Sequence, residues 1–501
     1  MAWGSIFLQV ILLLSLGVAS SGATSDSQCQ ITPTDKRRLF VLTDIANEPD
    51  DAQSLVRLLV YSNEFDIQGI VATTSVWLND TTRADQIYGI LDAYEEVLPN
   101  LRKHADGYPE AAYLRGLVTS GLPVYGMDGV GSAKDSDGSK LLVSAVDASD
   151  EPTWVLVWGG SSVLAQALWH VNATRSSTEV EKFVSKLRAY AISDQDNTGV
   201  WIRRNWPQLF YIASVHHFNR YALAAWSGIS GEAHYFFPCE ADEAVVSSQW
   251  IESNIQSVSA LGAKYPDPEF IVEGDTPSLL YMIPNGLSDP QYPEWGSWGG
   301  RYGPVNYGEG HFADTVDVVV DQSGKTIMGS HITVWRWREA FQTDFAARMQ
   351  WSAQPKFTKA QHAPVVSVNG DTTRNVLKII AKEGQEIIVD ASSSCDPDGG
   401  KLSYKWWQYL EPSSTQNSAK DVSTLALKNT DSAKVTATIP TKDVLRAEGR
   451  NKHPRDDKHL HLILEVSNGK LISYRRVVFT ILGPDSLTLL GGQEETHHDE
   501  L

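Results

Sequence analysis

Short apolar runs, unbroken rather than alternating, recur along the N-terminal part of the chain at residues 39–42, 67–72, 154–158, 187–192, 209–213 and 270–272. They are rich in β-branched and aromatic side chains, and unbroken apolarity predicts strands covered on both faces. Between them the period changes. Ala52, Leu55, Val56, Leu58 and Leu59 repeat on one face of a helix, as do Val163, Leu164, Ala167 and Leu168. Strands alternating with helices predict an α/β fold built on a doubly wound, mostly parallel sheet.

Beyond residue 272 the composition shifts. A loop rich in Gly and Pro carries Trp295, Trp298 and Tyr302, which suit either a core or the rim of a sugar-binding cleft. A Trp-rich, helix-like stretch follows at 333–351, where buried ion pairing is expected for Arg336, Arg338 and Asp344, and then a polar linker at 354–362. From Ala363 the pattern alternates in short segments, around 387–390, 402–406, 460–466 and 477–482. These predict a small all-β sandwich domain of about the size of an immunoglobulin-like module. Its Asp396-Pro-Asp-Gly399 turn, with Tyr404 and Trp406 behind it, resembles polycystic-kidney-disease and cadherin-like modules. The expected divisions are 1–23, 24–355 for the α/β domain, 363–485 for the sandwich and 486–501 for an acidic tail.

The two ends add an address. An apolar core at 6–18 followed by small residues predicts a cleaved signal peptide, and no later stretch is apolar for long enough to predict a membrane span. The last four residues, His498-Asp499-Glu500-Leu501, match a signal read by a retrieval receptor of the endoplasmic reticulum. Residence in the endoplasmic reticulum lumen is expected, with secretion as the alternative. The sequons at Asn79 and Asn172 predict a glycoprotein. A net charge of -19 argues against nucleic acid as a partner and suits cation binding. Cys29, Cys239 and Cys395 allow one disulfide within the chain, of unspecified pairing.

Chemistry concentrates just after the first predicted strand, where Asp44, Glu48, Asp50 and Asp51 fall within eight residues. In an open α/β sheet, ligands bind beyond the carboxyl ends of the strands, where this loop lies. Carboxylates so crowded repel unless a cation or shared protons neutralise them, and hard oxygen ligands of irregular geometry suit Ca2+. Helix capping accounts for any one of Glu48, Asp50 and Asp51, with Pro49 in the first turn. It leaves Asp44 unexplained.

The stretch Thr43-Asp44-Ile-Ala-Asn-Glu-Pro-Asp50-Asp51-Ala52 resembles the aspartate-rich motif of the calcium-dependent nucleoside hydrolases. Its continuation, Gln53-Ser-Leu-Val-Arg-Leu-Leu and Gly69-Ile-Val-Ala-Thr-Thr-Ser75, is similar to the nucleoside-hydrolase-like domain of secreted proteins described as cellulose-binding, which pair it with a C-terminal sandwich. The resemblance implies Asp50 as general base toward the attacking water and Asp44 and Asp51 as metal ligands. It also implies a main-chain carbonyl from Ser162 in Gly159-Gly-Ser-Ser162, although glycines there equally ease a turn. One departure stands out, because Ala46 occupies the place of a second aspartate. No counterpart of the late His-Asp pair is evident, with Asp314 and Asp317 near His311 as candidates.

Asn47, Asp194, Asp196, Asn197 and Asp275 present amides and carboxylates near predicted strand ends and are expected to bind substrate. The function expected is a hydrolase of glycosyl bonds, N-glycosyl bonds included, acting on a carbohydrate or nucleoside. The alternative is a protein that binds cellulose-like polysaccharide without turnover, and a third reading is a lumenal structural or quality-control factor.

Overall fold

The computed structural model describes residues 29–230, 243–305, 310–320, 324–413, 422–441 and 458–482. Strand β1 (Arg37–Thr43) runs parallel between β2 (Phe65–Ala72) and β4 (Thr153–Val157). With β3 (Val118–Ser120), β5 (Leu187–Ala191), β6 (Phe210–Ala213), β7 (Tyr302–Pro304) and β8 (His311–Asp314) they form an 8-stranded sheet of order β3-β2-β1-β4-β5-β6-β8-β7. Only the edge strand β7 is antiparallel to its neighbour.

Helices α1 (Asp50–Val60), α2 (Ala84–Leu101), α3 (Ala111–Gly116), α4 (Asp137–Asp147), α5 (Ser162–Thr174), α6 (Ser177–Ser185) and α7 (Thr198–Asn205) cover both faces. Side chains along β1 alternate between two cores. Leu39 and Val41 join Leu55, Leu58 and Leu59 of α1 and the apolar faces of α2 and α3, whereas Phe40 and Leu42 join Leu164 and Leu168 of α5 and residues of α4, α6 and α7. The doubly wound sheet read from the unbroken apolar runs is therefore present.

One run departs from expectation. Residues 270–272 form no strand of the sheet, because Phe270 turns into the left-handed region at φ 63° and stands largely exposed, leaving an isolated bridge between Glu269 and Ile271. The place beside β6 is taken by β8, a four-residue strand with a histidine and an aspartate at its ends. Trp295, Trp298 and Tyr302 are buried, which favours core packing over a cleft rim.

A hairpin of β9 (Asp317–Val320) and β10 (Thr326–Gly329) leads to two more helices, Ile332–Trp335 and Arg338–Ala353. Beyond them stand two facing sheets. One is β11 (Leu377–Ala381), β17 (Ile472–Ile481), β16 (Lys458–Ser467) and β13 (Ser403–Tyr409); the other is β12 (Glu386–Asp390), β15 (Lys434–Thr438) and β14 (Ala426–Lys428). Val389, Trp406, Val435, Leu462, Val477 and Phe479 fill the space between them.

The sandwich is fastened to the α/β body. Trp337 stacks on Trp407 and meets Tyr409 and Tyr474 edge-on. Fully buried Arg476 donates to the carbonyls of Leu287 (3.0 Å) and Gly296 (2.6 Å). Arg336 pairs with Asp317, and Asp344 is bonded by Tyr61 and Arg348, as expected of these two, while Arg338 donates to the Gly228 carbonyl (3.2 Å). His362 bridges the two parts, between His104 (3.1 Å) and Asp398 (2.8 Å). A disulfide joins Cys29 to Cys395 across 366 positions of sequence, while Cys239 lies outside the described residues, as do both end signals. Among the described residues, no helix is long and apolar enough to cross a membrane.

Candidate metal-binding carboxylate site

The site is built where β1 gives way to α1. Thr43 ends the strand, and its hydroxyl both accepts from the Ile45 backbone N–H (3.2 Å) and donates to Asp51 on the first turn of the helix. The connecting loop folds back tightly, with Ala46 in the left-handed region at φ 87°. Asp44, Asp50 and Asp51 are thereby buried together. From far along the chain, Asp275 joins them just before helix Thr276–Met282, and oxygens of Asp50, Asp51 and Asp275 lie within 4.8 Å of one another.

Backbone approaches this cluster so closely that side chains are excluded. A Cβ on Gly159, after β4, would lie 2.6 Å from Asp44 Oδ1, and one on Gly274 would lie 2.6 Å from Asp50 Oδ2. Both glycines serve as close walls to the carboxylates.

Burial without neutralisation dominates the electrostatics. Burial, and next the charges of Glu48 and Asp44, push Asp50 up to about 7. Asp51 and Asp275 stand well above the usual carboxylate range, first through burial and then through the other aspartates, and Glu48 is raised for the same reasons. Asp44 is raised by burial, partly offset by hydrogen bonds with Ser75 and with the Asp51 carboxyl. Among the described residues, no Lys or Arg pairs with these five groups. A group whose folded pKa is raised favours the folded state at low pH, and that advantage disappears as pH climbs from about 4 toward the raised value, here about 7 for Asp50.

This donor set fits a hard divalent cation: three converging carboxylates, all oxygen, uncompensated, with Asp275 Oδ2 buried and without a hydrogen-bond partner. The arrangement groups the expected site residues differently. Asp275, expected to bind substrate, converges with Asp50 and Asp51, while Ala46 is exposed. Asp50, expected only as a base, belongs to this carboxylate set. Asp44 supports Asp51 by hydrogen bonding from outside that set. Ser162 is the first residue of α5, so its carbonyl points down the helix, while its hydroxyl meets Thr73 (3.3 Å).

The expected substrate residues separate. Both oxygens of Asp194 are held by Arg203 (2.7 and 2.6 Å). Asp196 caps the first turn of α7 through Thr198 N (2.8 Å) and is raised to about 6 by burial, and its other oxygen is buried and unpartnered. Asn197 is exposed and accepts from Met127 N (2.8 Å), and Asn47 is exposed on the acidic loop. Asp314 bonds Ser214 and His216, Asp317 is paired with Arg301 and Arg336, and both lie outside the group formed by Asp50, Asp51 and Asp275.

Aromatic groups missed in the sequence lie beside the cluster. Trp77 N donates to Ser75 Oγ (2.9 Å), and Ser75 in turn contacts Asp44, which sets exposed Trp77 on one flank. Phe270 stands exposed next to Ile271, whose side chain borders Gly274 at the Asp50 wall. Their only sequence signal is an aromatic close to a strand end. Two cavities of about 970 and 560 Å³ lie elsewhere, one lined by Arg38, Asp66 and Trp154, the other at the sandwich junction by Trp351, Phe357 and Tyr474.

Known proteins share this architecture. Residues 38–302 match the model of the cellulose-binding Sde182 nucleoside hydrolase-like domain, and residues 386–481 match the cellulose-binding protein Sde0182 C-terminal domain. A nucleoside hydrolase-related protein from Saccharophagus degradans, associated with carbohydrate metabolism, is 34% identical and has a TM-score of 0.74, with 89% of this chain and 100% of that one covered. An inosine-uridine preferring nucleoside hydrolase from Bacillus anthracis aligns at 14% identity and a TM-score of 0.32 over 64% of this chain and 100% of its own. No curated protein matches.

Proposed function

This chain belongs to the cellulose-binding Sde182 family with its nucleoside hydrolase-like domain, and from that membership we propose that its carboxylate site hydrolyses a glycosyl bond of a carbohydrate. The observation that carries the reading is the convergence of Asp50, Asp51 and Asp275 at the carboxyl end of β1, buried and, among the described residues, lacking a basic partner. Ca2+ held by these three would supply positive charge that lowers the pKa of a water. Asp50 accepts the proton of the attacking water, the water adds to an anomeric carbon of oxocarbenium character as the glycosyl bond breaks, and the leaving group takes up a proton from solvent. Asp44 holds Asp51 in place through their hydrogen bond, and Thr43 holds its other side. Trp77 and Phe270 offer aromatic faces on which a sugar ring can stack.

The rival is a protein that binds polysaccharide and does not cleave it. It is favoured by the exposed Ala46, where nucleoside hydrolases carry an aspartate, and by the family's description as cellulose-binding. Incubating the full chain with aryl glycosides, nucleosides and plant polysaccharides, with calcium or with chelator, separates them. Calcium-dependent release of reducing sugar is the expected result. Retention on a polysaccharide with no release across the panel would select the rival.

The Cys29–Cys395 disulfide suits an oxidising compartment, and we place the protein in the secretory pathway with residues 498–501 addressing a retrieval receptor. Removing those four residues is expected to send the protein to the medium. Unchanged retention would refute the retrieval role.

A further inference from the structure

The face of α1 that carries Asp50 continues through Gln53, Ser54 and Arg57, at one-face helical spacing, and all four side chains are buried. A buried polar stripe is unusual on a helix, whose inward face is ordinarily apolar. Here every member but Asp50 is spent on the segment that delivers Asp275. Gln53 Oε1 accepts from the Glu273 backbone N–H (2.8 Å), and Ser54 shares a hydrogen bond with Thr276 (2.7 Å). Arg57 grips Glu273 with two contacts, Nε to Oε2 at 2.6 Å and Nη2 to Oε1 at 3.0 Å, both side chains being fully buried.

Glu273 itself is held in an unfavourable backbone state. Its φ of 53° lies in the left-handed region, where a non-glycine residue persists only if its surroundings fix it. Tyr265 adds a third fixation, donating to Oε1 at 2.8 Å. Arg57 is fixed from behind by the Phe341 carbonyl (3.1 Å) and Gln342, with its guanidinium 4.0 Å from the Phe345 ring. The consequence falls two residues on, where Asp275 enters the carboxylate set.

Ionised carboxylates as close together as those of Asp50, Asp51 and Asp275 push one another apart until a cation or shared protons neutralise them. Something must oppose that push if the site is to exist before the ion arrives. We propose that the buried Arg57–Glu273 pair is a positioning device that clamps the Asp275 segment to α1 and so sets the span of the cation site in advance. This rests on the cation-binding part of the proposed function. The pair touches neither ion nor substrate, and it acts by preorganisation: the binding energy of the ion is not consumed in drawing mutually repelling carboxylates together.

The test is calcium affinity, measured by calorimetry on the full chain. Arg57→Met combined with Glu273→Met removes both charges and leaves neither unpaired, which buried pairs generally tolerate. The double variant is expected to melt cooperatively in chelator yet to bind calcium about 10–100-fold more weakly, the usual cost of losing a group that orients metal ligands. A control, Asp147→Met with Arg175→Met, removes another two-pronged ion pair, one away from the site, and is expected to leave calcium affinity unchanged. Should the first double variant not fold, Arg57→Lys carries the test, since it keeps the charge and loses the two-pronged grip, and weaker calcium binding is again expected. Wild-type affinity in a folded Arg57 variant, or equal weakening in the control, would overturn the clamp while leaving the cation site standing. Absence of calcium binding by the unaltered protein would overturn both.

Discussion

Asp51→Ala is expected to make the cation-free protein more stable while abolishing its stabilisation by calcium. The two effects have opposite signs because Asp51 is at once a source of repulsion and a member of the carboxylate set. Removing it relieves Asp50, Asp44 and Asp275 of one neighbouring charge, so the melting temperature in chelator should fall less steeply as pH rises from about 4 to about 7. In the unaltered protein, a saturating cation at a hundred times its Kd adds about 2.7 kcal/mol, and the variant should show no such gain. Turnover should fall by about a thousand-fold or more, since several kcal/mol of transition-state charge stabilisation depends on the ion being held. Thermal melts of both proteins across this pH range, with and without calcium, read all of this. A calcium shift that survives in the variant would remove Asp51 from the cation site.

Asp50→Asn isolates the proton transfer. Asparagine keeps an oxygen that can face a cation but cannot accept a proton from water, so calcium binding should weaken modestly while kcat falls about 10²–10⁴-fold. The pH profile supplies an independent signature. Burial and the carboxylates of Glu48 and Asp44 push Asp50 up to about 7, so activity should rise with pH as this group ionises, at a midpoint near or below that value once a cation favours the charged form. The variant's residual activity should lack that rising limb. If the rival holds, Asp50→Asn should leave polysaccharide retention intact and change no rate, because there is none to change.

The unequal legibility of this chain has a physical basis. Runs such as 39–42 and 154–158 are apolar because both faces of a central parallel strand are covered, and that burial leaves a pattern in consecutive residues. Short strands near the edge of the sheet leave less. Strand β8 carries His311 and Asp314 within four residues, whereas the more apolar 270–272 is turned out of the sheet at Phe270. The acidic loop was visible because Asp44, Asp50 and Asp51 share one strand-to-helix turn. Their partnership with Asp275 joins segments far apart in the chain, and no local period reports such a contact. The stripe Gln53, Ser54, Arg57 misleads for a related reason, since polar residues at helical spacing ordinarily face solvent. Asp194 shows the converse, a carboxylate at a strand end already committed to an arginine nine positions later.

The bridge from Cys29 to Cys395 imposes an order of events at the ribosome. Synthesis at about 5–20 residues per second separates the appearance of the two sulfurs by roughly 20–70 seconds. For that interval Cys29 is an unmatched thiol, and Cys239 is the earlier of the two later cysteines to emerge. Correct closure must therefore wait for the sandwich, so that the stretch around Cys29, made early, is among the last to be secured.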